Sequence, residues 1–123
     1  MTVVDASAVL AWLGDELGAD VVEAATAAGE PLTCSAVNWS EVVQKAVARG
    51  VALDDVAAAV TLLRLSVVDV GREDAERAAH LWLDHPSLSL ADRLCLALAD
   101  RLDADALTAD QAWAAHPRAR VIR

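Results

Sequence analysis

Four carboxylic acids, Asp5, Glu41, Asp92 and Asp110, stand at the ends of strand-like runs or early in helix-like ones. Side chains of this type offer only hard oxygen ligands, and no His or Cys pattern lies beside them. A site built from them therefore suits Mg²⁺, or Mn²⁺, better than zinc. Carboxylates aimed at one point repel one another, and such a cluster is costly unless a cation neutralises it. A divalent ion held this way, still carrying water, can activate that water and stabilise charge on a phosphate, which is what phosphodiester hydrolysis requires. Taken singly, each acid has a plainer role. Asn38-Trp39-Ser40-Glu41 and Ser89-Leu90-Ala91-Asp92 have capping-box spacing, and Asp5 and Asp110 could be N-caps that meet the positive end of a helix. The conjunction of four argues for a metal site.

Short apolar runs predict strands at 2–4, 32–35, 67–70 and 106–108, with an edge strand at 120–122. Helical periodicity predicts helices at 6–13, 19–28, 37–49, 53–65, 72–84 and 89–102, and a short one at 110–115. Gly29-Glu30-Pro31, Gly50 and His85-Pro86 supply stop signals between them. Strands alternating with helices predict an α/β fold, a parallel sheet covered by helices on both faces. Open sheets of this kind bind ligands outside the carboxyl ends of their strands. Asp5 and Asp110 follow two such ends, while Glu41 and Asp92 begin helices that start there. Asp105 precedes its strand and so points to the opposite end.

The 123 residues fit a single domain spanning 1–123, and 56% hydrophobic content can fill its core, although Phe and Tyr are absent. Ala, Val and Leu carry that core. The start shows no basic, apolar secretory leader. The longest apolar run, Leu94 to Ala99, is far short of the ~20 residues a membrane helix needs. Cys34 and Cys95 lie in apolar stretches without ligand spacing and read as buried, reduced thiols of a cytoplasmic protein. A formal net charge of −9 argues against broad affinity for nucleic acid, which depends on Lys and Arg at phosphates. It leaves room for a nucleic-acid enzyme whose metal supplies positive charge locally.

Four segments resemble the PIN-domain ribonucleases, and within them the VapC-type toxins of bacterial toxin–antitoxin pairs. They are Val3-Val4-Asp5-Ala6-Ser7-Ala8, Asn38-Trp39-Ser40-Glu41-Val42, the run from Leu88 to Ala99, and Leu107-Thr108-Ala109-Asp110-Gln111-Ala112-Trp113. The likeness spans nearly the whole chain, in the family's order and intervals. It implies a three-layer α/β/α sandwich around a short parallel sheet. The activity it implies is metal-dependent endoribonuclease cleavage of RNA by metal-activated water, with Asp5, Glu41, Asp92 and Asp110 as metal-binding catalytic carboxylates. Ser7 and Thr108 become hydroxyls that orient them, with Asn38 and Ser89 as weaker supports that capping also explains. A small antitoxin covering the acidic groove and a homodimer are further implications.

With so acidic a chain, RNA must be gripped by local arginines, and Arg93, Arg118, Arg120 and Arg123 are the candidates. Trp12, Trp39, Trp82 and Trp113 read as core or interface residues, and His80, His85 and His116 as surface or turn residues. Two other classes fit an α/β chain with acids at strand ends. One is a catalytically silent PIN-like binding module, in which one acid should fail to reach the others. The other is a phosphate-handling enzyme such as a phosphatase or response-regulator receiver. Against the last stand the absence of a Gly-rich phosphate loop and the presence of a single lysine, Lys45.

Overall fold

A computed structural model describes residues 1–123. Five strands, β1 (Thr2–Val4), β2 (Leu32–Ser35), β3 (Leu65–Val68), β4 (Asp105–Thr108) and β5 (Ala119–Val121), form one sheet. Its order is β3-β2-β1-β4-β5 and every pairing is parallel. All five carboxyl ends therefore share one edge. The helices are α1 (Ala6–Leu13), α2 (Ala19–Ala27), α3 (Ala36–Ala48), α4 (Leu53–Leu62), α5 (Arg72–Leu81) and α6 (Leu90–Leu102), with a 3₁₀ turn at Gln111–Trp113.

Successive strand residues point to opposite faces, and the core divides accordingly. Val4, Cys34 and Leu107 cluster with residues of α1, α2, α3 and α4, including Val9, Val22, Val42, Val56 and Val60. Val3 and Ala106 cluster with Ala78 and Leu81 of α5, the run Leu94 to Ala99 of α6, and Trp113. That six-residue run is buried on every side, so α6 is a central helix held between sheet and α5. The result is the expected α/β/α sandwich. No helix is long and apolar enough to cross a membrane. Both cysteines are buried and free, and burial pushes the Cys34 thiol up to about 12.

The third strand lies at 65–68 and not at the expected 67–70, and α4 stops at Leu62 where the periodicity ran to 65. Arg64 adopts a left-handed φ of 53°, which ends the helix without the glycine that usually marks such a turn. Periodicity could not see this, because Leu63 still completes the buried stripe of Val56 and Val60.

The end of α5–α6 remote from the strands' carboxyl edge is tied by charge. Arg101 grips the buried Asp74 with two bonds, Nε to Oδ1 at 2.7 Å and Nη2 to Oδ2 at 3.2 Å. Arg77 and Arg118 share Asp100, each at 2.9 Å. Asp74 is buried while the Arg101 side chain is 38% exposed, so the pair lies between the surface and the buried case. Arg101→Ala should therefore cost about 1–2 kcal/mol in urea unfolding; no measurable loss would show that water replaces the guanidinium.

Candidate active site at the carboxyl edge of the sheet

Asp5 ends β1 and occupies the N-cap position of α1, with extended φ and ψ of −75° and 156°. Its side chain does not cap the helix. It is only 3% exposed, and three side chains from three elements hold it. Ser7 Oγ donates to Oδ2 at 2.6 Å, Thr108 Oγ1 donates to Oδ2 at 3.0 Å, and Asn38 Nδ2 donates to Oδ1 at 3.2 Å. The hydroxyls are fixed in turn, since Ser7 Oγ accepts from the Ala109 amide at 2.9 Å and Thr108 Oγ1 from the Asp110 amide at 3.1 Å. Adjacency of β1 and β4 makes this cross-strand network possible.

Asn38 is fully buried and does not begin its helix. Ser35 is the N-cap of α3: its Oγ accepts the Asn38 amide at 3.1 Å and donates to Asn38 Oδ1 at 2.8 Å. That second bond turns the Asn38 NH₂ group toward Asp5. The capping-box reading of Asn38 and Glu41 is thus corrected, and Glu41 lies in the second turn of α3, its carboxylate free of capping. The Ser89–Asp92 box does form, with Ser89 N–H to Asp92 Oδ2 at 3.2 Å and Asp92 N–H to Ser89 Oγ at 3.1 Å. It pins Asp92 at the start of α6.

Asp5 senses the charge of Asp92, and Glu41 senses those of Asp5 and Asp92. Burial pushes Asp5 above its ordinary value, and the Asp92 charge adds to the rise, against the lowering effect of the Ser7 and Thr108 hydroxyls. Burial likewise raises Glu41, followed by the charges of Asp5 and Asp92, while Lys45 one turn on pulls it down. Cys95 lies fully buried beneath all three acids; its thiol is pushed far up, chiefly by burial, and is chemically inert there. Asp110 stands apart, the placement that the catalytically silent alternative expects of one acid. It is exposed, it caps the 3₁₀ turn through Oδ1 and the Ala112 amide at 2.9 Å, and only the shared Thr108 hydroxyl links it to Asp5.

No group of three or more acidic, imidazole or thiol side chains converges tightly enough to be a ready ligand cage. The donor set nevertheless fits a hard divalent cation. Its donors are all carboxylate oxygens, Asp5 and Glu41 are raised by burial first and by neighbouring carboxylates second, and Glu41 and Asp92 are half-buried side chains at the rim.

The arginines expected to grip RNA are engaged elsewhere. Arg118 binds Asp100 and Asp103, and Arg120 binds Asp105, all at the amino end of β4, the wrong edge of the sheet. Arg93 follows Asp92 but donates to the carbonyls of Leu88 and Ala78, at 3.4 and 2.7 Å, and so fastens α6 to α5. Arg123 pairs with Glu16. Asp69 directly follows the apolar run of β3 as Asp5 follows that of β1, and does not lie within a strand at 67–70.

The sequence model of one family, described as PIN domain, matches residues 2–119. No curated protein matches the chain. Among solved structures, a toxin–antitoxin complex from Klebsiella pneumoniae superposes with a TM-score of 0.80 at 19% identity, covering 100% of this chain and 98% of the other. VapC20 of Mycobacterium tuberculosis, a sarcin–ricin-loop-cleaving toxin, gives 0.73 at 21% identity, covering 100% of both chains. VapBC2 from Rickettsia felis, bound to a fragment of its promoter DNA, gives 0.71 at 13% identity, covering 98% of this chain and 96% of the other. At these identities the likeness is one of fold.

Proposed function

Because the chain belongs to the PIN domain family, we propose that it is a Mg²⁺-dependent endoribonuclease and that it serves as the toxin of a toxin–antitoxin pair. The observation that carries this reading is Asp5, a buried carboxylate held by Ser7, Thr108 and Asn38 and flanked by Glu41 and Asp92, at the sheet edge where open α/β folds bind ligands. A fold that buries a carboxylate among other carboxylates uses the charge for something, and a cation is the plainest answer.

Asp5, Glu41 and Asp92 would hold the ion, with Asp110 approaching from the rim. Bound there, Mg²⁺ (or Mn²⁺) would supply the positive charge and the water activation that phosphodiester hydrolysis needs. The chain's own work is preorganisation. Ser7 and Thr108 fix both the plane and the direction of the Asp5 carboxylate, Asn38 anchors its second oxygen, and Ser89 fixes Asp92. A cation also explains how a chain of net charge −9 could receive an RNA phosphate beside three carboxylates. The toxin role, the antitoxin partner, a homodimer and a cytoplasmic setting belong to the same proposal. The toxin–antitoxin structures that share the fold support the first two of these.

Purified protein incubated with a mixed-sequence RNA tests the activity. Cleavage is expected with Mg²⁺, is lost in EDTA and returns with excess Mg²⁺ or Mn²⁺. Asp92→Asn should slow it by about 100-fold, the equivalent of roughly 2.7 kcal/mol of transition-state stabilisation, with an unchanged circular dichroism spectrum. Cleavage that survives EDTA would overturn the proposal.

A further inference from the structure

Beside Glu41, on the β3 side of the site, lies an open cavity of about 670 Å³ lined by Ala36, Val37, Ser40, Glu41, Asp69 and Val70. Asp69 follows β3 as Asp5 follows β1, with β2 between them. The register runs straight across, Val3 to Thr33 and Thr33 to Ser66. Two strand spacings put the Asp69 backbone about 10 Å from that of Asp5. At that separation Asp69 takes no part in the Ser7, Thr108 and Asn38 network that holds Asp5. None of the eight ion pairs involves Asp69. The mechanism above leaves this carboxylate unused.

Its surroundings select what it could bind. Glu41 and Asp69 together repel a phosphate, so the cavity is not a backbone site. Ala36, Val37 and Val70 supply apolar walls suited to the faces of a flat ring, and Ser40 adds a hydroxyl. An ionised carboxylate is an acceptor only, with two oxygens side by side. Among unpaired RNA bases, guanine alone presents two adjacent donors, N1–H and N2–H, on its Watson–Crick edge. Adenine and cytosine set an acceptor beside the amino donor, and uracil sets its one donor between two carbonyls. Each of those would turn a lone pair toward the carboxylate.

We propose that this cavity receives an unstacked base next to the scissile phosphate, and that Asp69 selects guanine by accepting both donors. Reading unstacked bases on the Watson–Crick edge is how sequence-specific RNA recognition generally proceeds. The inference rests on the nuclease reading and makes Asp69 a specificity residue, not a catalytic one.

Mapping cut positions on a mixed-sequence RNA measures base preference as a ratio within one digest, whatever the total rate. Wild-type protein should cut with guanine at one fixed position beside the cut, and Asp69→Asn should lower that preference by about 10- to 100-fold, the worth of one bidentate pair. Titration with the uncharged nucleoside guanosine in EDTA gives a second readout independent of cleavage. It should shift the backbone amide resonances of residues 36–41 and 69–70 in the wild type but not in Asp69→Asn, and adenosine should shift neither. Cleavage without a guanine preference, or with one that Asp69→Asn leaves intact, overturns this subsite and leaves the nuclease reading standing. Equal shifts with the two nucleosides, or none with either, overturn it also. If no RNA is cut, the nuclease reading fails and the subsite falls with it.

Discussion

Asp5→Asn is expected to abolish RNA cleavage, by at least about 1,000-fold or some 4 kcal/mol, and at the same time to raise the thermal midpoint of the metal-free protein at neutral pH. The two effects share one cause. Three hydrogen bonds favour the charged Asp5 side chain, yet its proton affinity is raised, so desolvation and the Asp92 charge outweigh those bonds. An isosteric amide removes the burdened charge and keeps the shape. Its oxygen can still accept from Asn38, and the hydroxyls of Ser7 and Thr108 can receive its NH₂ group, although each already accepts a backbone amide and an O–H that loses Asp5 as acceptor offsets part of the gain. A gain of 1 kcal/mol is worth roughly 4 °C in a chain of this length. Asp5→Ala should behave oppositely in stability, because it orphans the Asn38 amide and two hydroxyls at about 1–3 kcal/mol for each buried group left unsatisfied. Differential scanning calorimetry of the two variants in EDTA separates these outcomes. An Asp5→Asn protein less stable than wild type would show that the carboxylate is structural.

The second large effect is the response of stability to pH and to Mg²⁺ together. Asp5 and Glu41 both carry raised proton affinities in the folded state, from burial first and neighbouring carboxylates second. The folded chain therefore binds more protons than the unfolded chain between the ordinary carboxylate range and the raised values. Their contribution to stability is fully present below about pH 4 and is lost as pH climbs through the raised values. His116 works in the opposite sense. Burial lowers it, with His85, Arg118 and Arg77 adding to the fall and Asp100 opposing it, so its contribution is present above about pH 6.5 and is lost on acidification. Subtracting the Asp5→Asn curve from the wild-type curve cancels His116 and leaves the Asp5 part, together with the share of the Glu41 rise that the Asp5 charge causes. That difference should turn against the wild type as pH rises from about 4 to 7. Mg²⁺ at 100 times its dissociation constant should return about 2.7 kcal/mol to the wild type at pH 7, little at pH 4, and little to the variant at either. A flat difference curve together with a Mg²⁺ response equal in both proteins would refute a cation at Asp5.

Much of the fold was legible because its signals are local. Strands β1 and β2 and helix α1 end where an apolar period stops, and Ser89–Asp92 is a cap that any chain would form from those letters. The remainder depends on partners remote along the chain. Arg118, near the end of the chain, pairs with Asp100 and Asp103. Asn38 looked like a helix cap until Ser35 took that task and left its amide for Asp5, 33 residues away. β3 was misplaced by two residues because a left-handed Arg64 leaves no compositional trace.

The amino-acid sequence by itself determined the alternation of strands and helices, the burial of α6, and the presence of an acid at or near the carboxyl end of β1 and of β4. Periodicity and stop signals act over a few residues and need no knowledge of the rest. Only the tertiary structure decided which acids meet. Parallel pairing of β1 with β4 brings Thr108 to Asp5 across 103 residues, and the same packing sets Glu41 and Asp92 around it while leaving Asp110 at the rim. Coulomb repulsion and desolvation depend on distances between side chains, and in this chain those distances follow from strand order.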